Sequence, residues 1–148
     1  METQFNNGQG VEILLVEDNP GDARLVQEGM AQASVKNTVH HVRDGVEALA
    51  FLNHEPRYAN VPRPDLIVLD LNLPGLDGRD VLTAIKGDAR LRTIPVVVFT
   101  TSSADADVLK SYDLQASCYV TKPVNFEQFM KTIRDIESFW LGVVRLPA

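Results

Sequence analysis

The stretch Asp65-Leu66-Ile67-Val68-Leu69-Asp70-Leu71-Asn72-Leu73-Pro74-Gly75 decides how this chain is read. An unbroken apolar run from Leu66 to Leu69, closed off by turn formers, is the pattern of a strand covered on both faces. Pro74 and Gly75 force a turn, so Asp70 falls at the strand's carboxyl end. In open α/β sheets, ligands and chemistry collect outside the carboxyl ends of the strands. Taken alone, such an aspartate is more simply a turn or capping residue. Its meaning depends on what the other strands deliver beside it.

Working outward, four more strands are predicted. Val11 to Val16 forms the first and ends in Glu17-Asp18-Asn19-Pro20-Gly21, where Pro20 and Gly21 stop it. Thr38 to Val42 is the second, Ile94 to Phe99 the fourth and Ser117 to Thr121 the fifth. Helices are expected between them: one from Asp22 with a partial apolar face, one capped by Asp44, one opened by Asp77-Gly78 and closed by Gly87, and one capped by Ser103 with Asp105 and Asp107 in its first turn. The last helix is capped by Asn125, with Gln128 at capping-box spacing. Phe126, Phe129, Ile133, Ile136 and Trp140 make its single apolar stripe, and Gly142 is expected to end it. His54 to Pro64 holds Pro56, Pro62 and Pro64 without periodicity and reads as a surface loop. Strands alternating with helices require long crossovers, hence an α/β fold with a doubly wound, five-stranded parallel sheet and five helices on its two faces.

The chain of 148 residues suits one domain over residues 11–141, with short tails at 1–10 and 142–148. Its net charge of −6 speaks against nucleic acid, whose phosphates require clustered Lys and Arg. No run approaches the roughly 18 apolar residues of a membrane span, and the polar start lacks a secretory signal, so a cytoplasmic location is expected. Cys118, the lone cysteine, excludes an internal disulfide and a cysteine-based metal cluster.

Parallel strands place all their carboxyl ends on one edge. Strand one delivers Glu17 and Asp18, strand three Asp70, strand four Thr100 and strand five Lys122. One polar strand end is ordinary, but five of complementary chemistry make a site. Clustered carboxylates repel one another unless they share protons or hold a cation. An all-oxygen set favours a hard ion such as Mg²⁺. A carboxylate beside such an ion and a lysine is suited to attack phosphorus, giving an aspartyl phosphate to which Thr100 can donate.

These residues carry a family resemblance. Glu17-Asp18, Asp70, the Leu73-Pro74-Gly75-Leu76-Asp77-Gly78 turn, Thr100 at 30 residues past Asp70, and Lys122-Pro123 at 52 past it resemble, in order, a receiver domain of a two-component response regulator, a CheY-like domain. The likeness spans Val11 to about Leu141. It implies a flavodoxin-like sheet with strand order 2-1-3-4-5. It implies Asp70 as phosphoacceptor, with Asp18, Asp70 and the backbone carbonyl of Asn72 as Mg²⁺ ligands. Mn²⁺ or Ca²⁺ could substitute, and Glu17 would hold a metal-bound water. Thr100 and Lys122 would bind phosphoryl oxygens, Thr100 and Tyr119 would form the conformational switch, and the Lys122-Pro123 bond would commonly be cis.

The resemblance further implies partners. A sensor histidine kinase would supply the phosphoryl group. The long His54–Pro64 loop, the Thr100-Thr101-Ser102 run and the Phe139-Trp140-Leu141 ending are similar to stand-alone regulators that serve phytochrome-like kinases. With only Gly142 to Ala148 past the last helix, output would pass to a downstream protein effector, a phosphotransfer protein or a second copy. A homodimer would use the fourth and fifth helices and the fifth strand. Phe139 and Trp140 are candidates for such an interface, since one stripe cannot comfortably bury both. Two other readings compete. An aspartyl-phosphate-forming phosphatase would need a second carboxylate where Asn72 stands, and a phosphorylation-independent binding module would not need all five strand-end residues.

Overall fold

Residues 10–101 and 116–143 are described by the structure, a computed structural model. Strands β1 (Val11–Val16), β2 (Asn37–Val42), β3 (Leu66–Leu69), β4 (Val96–Thr100) and β5 (Cys118–Thr121) form one parallel sheet. Their order is β2-β1-β3-β4-β5, as the resemblance implied. Helices α1 (Pro20–Ala31), α2 (Gly45–Leu52) and α3 (Gly78–Lys86) and a C-terminal helix (Phe126–Glu137) cover it. The helix expected from Ser103 lies outside the described residues, as do residues 1–9 of the N-terminal tail. Among the described residues, no helix is long and apolar enough to cross a membrane.

The continuous apolar strands are explained by two cores, one on each face. Ile13 and Leu15 of β1, Leu66 and Val68 of β3, and Val97 and Phe99 of β4 share a cluster with Val26 and Met30 of α1 and Phe129 and Ile133 of the C-terminal helix. Their neighbours Leu14, Val16, Ile67, Leu69, Val96 and Val98 meet Phe51 of α2 and Val81, Leu82 and Ile85 of α3. Successive side chains point to opposite faces of a strand. A sheet buried on both sides therefore cannot afford a polar residue until the strand ends. Gly29 lets α1 approach the C-terminal helix: a Cβ there would sit 2.5 Å from Cγ2 of Ile133.

Several element ends differ from the sequence reading. Helix α1 starts at Pro20 rather than Asp22, because Asn19 is its cap and accepts from the Asp22 N–H at 2.9 Å. Proline is tolerated in the first turn, where its missing N–H has no helical partner. Strand β4 begins at Val96 and includes Thr100. Helix α3 has the expected ends: Asp77 accepts from the Arg79 and Asp80 N–H groups, and Gly87 closes it. The C-terminal helix is capped by Asn125, which accepts from Gln128 N–H at 3.1 Å. It does not stop at Gly142 but widens after Glu137 into a π turn, Ser138–Val143. Trp140 and Leu141 are both buried there, while Phe139 stays 52% exposed. Phe126 is exposed as well, so the apolar stripe begins in effect at Phe129.

The surface loop after α2 is tied down at several points. Tyr58 of a short 3₁₀ turn, Pro56–Tyr58, packs 5.3 Å from the Phe51 ring and donates to Glu47 at 3.1 Å. His54 takes a positive φ of 53° and its Nε2 lies 2.9 Å from the Val61 carbonyl. No peptide bond among the described residues is cis, so Lys122-Pro123 is trans.

Candidate functional site

Strands β1, β3, β4 and β5 end at the same edge, and polar residues at or just past their ends are held there by the backbone. Asp70 N–H donates to the Val16 carbonyl, Glu17 N–H to Val42 and Lys122 N–H to Thr100 at 2.8 Å. Glu17, Asp70, Thr100 and Lys122 are the buried polar residues among those described. Helix α3 closes the floor. Gly78 donates to the Leu71 carbonyl, and a Cβ on Gly78 would run into the Asp70 carbonyl and lie 2.6 Å from the Leu71 Cα. Only glycine allows that close approach directly behind Asp70.

Lys122 is the hub. Its Nζ lies 2.6 Å from Glu17 Oε1, 2.9 Å from Asp70 Oδ2 and 3.0 Å from Asp22 Oδ2. The second oxygen of Asp70 accepts from the Asn72 N–H at 2.9 Å, and that of Glu17 accepts from the Asn19 N–H at 3.1 Å. The Asn72 side-chain amide donates to Thr100 Oγ1 at 3.2 Å. Glu17, Asp18 and Asp70 bring one carboxylate oxygen each within 4.8 Å of the others. The residues expected at the site are thus together. Tyr119 lies beside Val98 of β4, partly buried against the core on the α2 and α3 side.

The electrostatics favour a cation. Burial pushes the Glu17 carboxyl up to about 7; Lys122 acts against this and the Asp70 charge adds to it. Burial alone would lower the Lys122 ammonium. The hydrogen bond from Lys122 to Glu17 and the charges of Asp70 and Glu17 outweigh it, and Lys122 is held well above its ordinary value. One ammonium is therefore firmly charged, yet it does not balance the carboxylates around it. Three carboxylates converging in an all-oxygen set fit a hard divalent ion, which would remove that imbalance.

Two participants were not foreseen. Asp22 reaches Lys122 because α1 begins early enough to aim its first turn at the edge. In the sequence it passes for an ordinary acidic residue at a helix start. His41 is far in sequence from the acidic edge, yet its Nε2 lies 2.8 Å from the Glu17 carbonyl. Strand β2 pairs directly with β1, bringing His41 opposite Leu15. His40 is a half-buried partner of Glu12 at 2.7 Å. Arg79 folds back on Asp77 at 3.4 Å.

Residues 13–134 match the response regulator receiver domain family, and the chain belongs to it. It is 51% identical over 136 residues to response regulator Rcp1 of Synechocystis sp., covering 92% of each chain. Among solved structures, it resembles the Mn²⁺-bound form of Rcp1 with a TM-score of 0.91 at 50% identity, covering 93% of this chain and 99% of that one. The phosphorylated cyanobacterial phytochrome response regulator RcpA gives a TM-score of 0.91 at 51% identity, with the same coverage.

Proposed function

We propose that this chain is a phospho-receiver whose Asp70 takes a phosphoryl group from the phosphohistidine of a sensor histidine kinase. The observation that carries this reading is Asp70 itself, buried at a strand end between the Lys122 ammonium and the Asn72 N–H. A carboxylate oxygen of Asp70 forms the new bond to phosphorus as the P–N bond of the phosphoimidazole breaks. The imidazole leaves with the bonding pair and retains or gains a proton. Asp18, Asp70 and the Asn72 carbonyl would hold a divalent ion, with Glu17 on its water, and the ion supplies charge neutralisation for the transferring group. Lys122 stays charged and points at the oxygen side of Asp70 where phosphoryl charge will lie. Thr100 donates to the phosphoryl group, and its displacement is felt at Tyr119 on the neighbouring strand β5. No second carboxylate stands at Asn72 to act as a general acid, so the acyl phosphate persists as a signal.

The likeness to RcpA, a phytochrome response regulator, supports a phytochrome-type kinase as donor. Output passes by protein contact to an effector, a phosphotransfer protein or a second copy, with exposed Phe139 as a contact residue. The test is incubation with Mg²⁺ and a small phosphodonor. One phosphoryl group should be gained, in an alkali-labile form, and the Asp70→Asn chain should gain none. Failure of the parental chain to gain mass from either a small donor or a phytochrome-type kinase would overturn the reading.

A further inference from the structure

Lys122 has three N–H hydrogens and three carboxylate partners, and the partners are not equivalent. Glu17 and Asp70 also belong to the oxygen cluster that fits a divalent ion, whereas Asp22 does not. Their charge is shared with whatever cation enters; that of Asp22 is not. Asp22 also differs in placement. Its backbone N–H is fixed by the Asn19 cap, so its side chain leaves the rigid first turn of α1 at a set angle. The Lys122 side chain is only 2% exposed and that of Asp22 is 25% exposed, so Asp22 closes the site on its solvent side. Asp22 and Lys122 themselves line a cavity of about 270 Å³ there, together with Leu25, Thr101, Phe126 and Phe129 among others.

We infer that Asp22 is a positioning residue for Lys122. Together with Glu17 it takes two of the ammonium hydrogens and so aims the third at Asp70, where the phosphoryl oxygen arrives. Because Asp22 takes no part in the metal cluster, its share of this aim holds whether or not a cation is present. The inference rests on the phospho-receiver reading and adds a residue to it. It also makes a prediction of sign. Through-space repulsion alone says that deleting an anion near the site should speed attack on an anionic donor. Positioning says that the deletion should slow it.

The experiment compares the full chain with Asp22→Ala and Asp22→Asn, using a small phosphodonor at saturating Mg²⁺, and measures Mg²⁺ affinity separately by calorimetry. Asp22→Ala should lower the phosphorylation rate about tenfold, the usual scale for loss of one charge-assisted hydrogen bond of roughly 1.5 kcal/mol. Its Mg²⁺ Kd should stay within about threefold, since an indirect partner of the cluster acts weakly on it. Asp22→Asn keeps an acceptor oxygen at the same reach and should recover most of the rate. A rate in Asp22→Ala equal to or above the parental rate overturns the inference. So does an equal loss of rate and Mg²⁺ affinity, which would make Asp22 part of the metal site. If the parental chain itself takes no phosphoryl group, the receiver reading fails, an outcome distinct from a parental chain that works and an indifferent Asp22→Ala.

Discussion

Among the described residues, Glu17 is the one whose ionisation the fold most alters within the accessible pH range. Its carboxyl is raised from the usual 4.5 to about 7, so between those values the folded chain holds a proton that the unfolded chain has released. The stability contributed by that proton is complete below about 4.5 and is lost as pH rises through about 7. With the divalent ion chelated, the melting temperature should be lower at pH 8 than at pH 6 from this group. A metal must displace the same proton, so Mg²⁺ should bind more tightly at pH 8. Glu17→Gln should flatten both trends. An unchanged pH dependence of Mg²⁺ binding in Glu17→Gln would contradict the assignment. Cys118 is the opposite kind of residue: half-buried on β5, its thiol is pushed up by burial and stays unreactive near neutrality.

At the scale of elements, the contact between α1 and the C-terminal helix is closely fitted. With the Ile133 methyl 2.5 Å from where a Gly29 Cβ would stand, Gly29→Ala should cost about 1–3 kcal/mol through overpacking, despite alanine's better helix propensity. Ile133→Ala alone should cost about 2–5 kcal/mol by leaving a cavity. The double variant should be more stable than the sum of the two by at least about 0.5 kcal/mol, because each change makes room for the other. Chemical denaturation of the four chains measures this, and strict additivity would refute the packing argument. The consequence reaches the site, since α1 carries Asp22 and the turn after β1 carries Glu17.

The same helix decides how the whole molecule presents itself. Phe139 and Trp140 were paired as interface candidates, but the structure separates them. Trp140 is 9% exposed and packs with the core beneath the sheet, while Phe139 is 52% exposed, its ring edge-on to that of Trp140 at 5.4 Å. Trp140→Ala should therefore cost about 3–5 kcal/mol of stability and cannot report cleanly on association. Phe139→Ala should change stability by no more than about 0.5 kcal/mol while weakening self-association of the phosphorylated chain. Sedimentation with and without the phosphodonor measures the latter. Unchanged self-association in Phe139→Ala would remove that residue from the interface.

The sequence by itself determined the sheet and the chemistry at its edge. A strand buried on both faces must be apolar until it ends, so the first polar residue after Leu69, Val16 or Phe99 marks a functional edge without reference to any distant contact. Local rules also fixed the caps at Asp44, Asp77 and Asn125, because a cap bonds within three residues of itself. What only the tertiary structure decided involved partners far apart in the chain. Asp22 meets Lys122 across 100 residues, His41 reaches Glu17 because β2 and β1 pair side by side, and Trp140 rather than Phe139 turns inward where the last helix widens. None of these has a periodic or local signature. Each depends on the angle at which one packed element meets another, and that angle is set by the volumes filling both cores together.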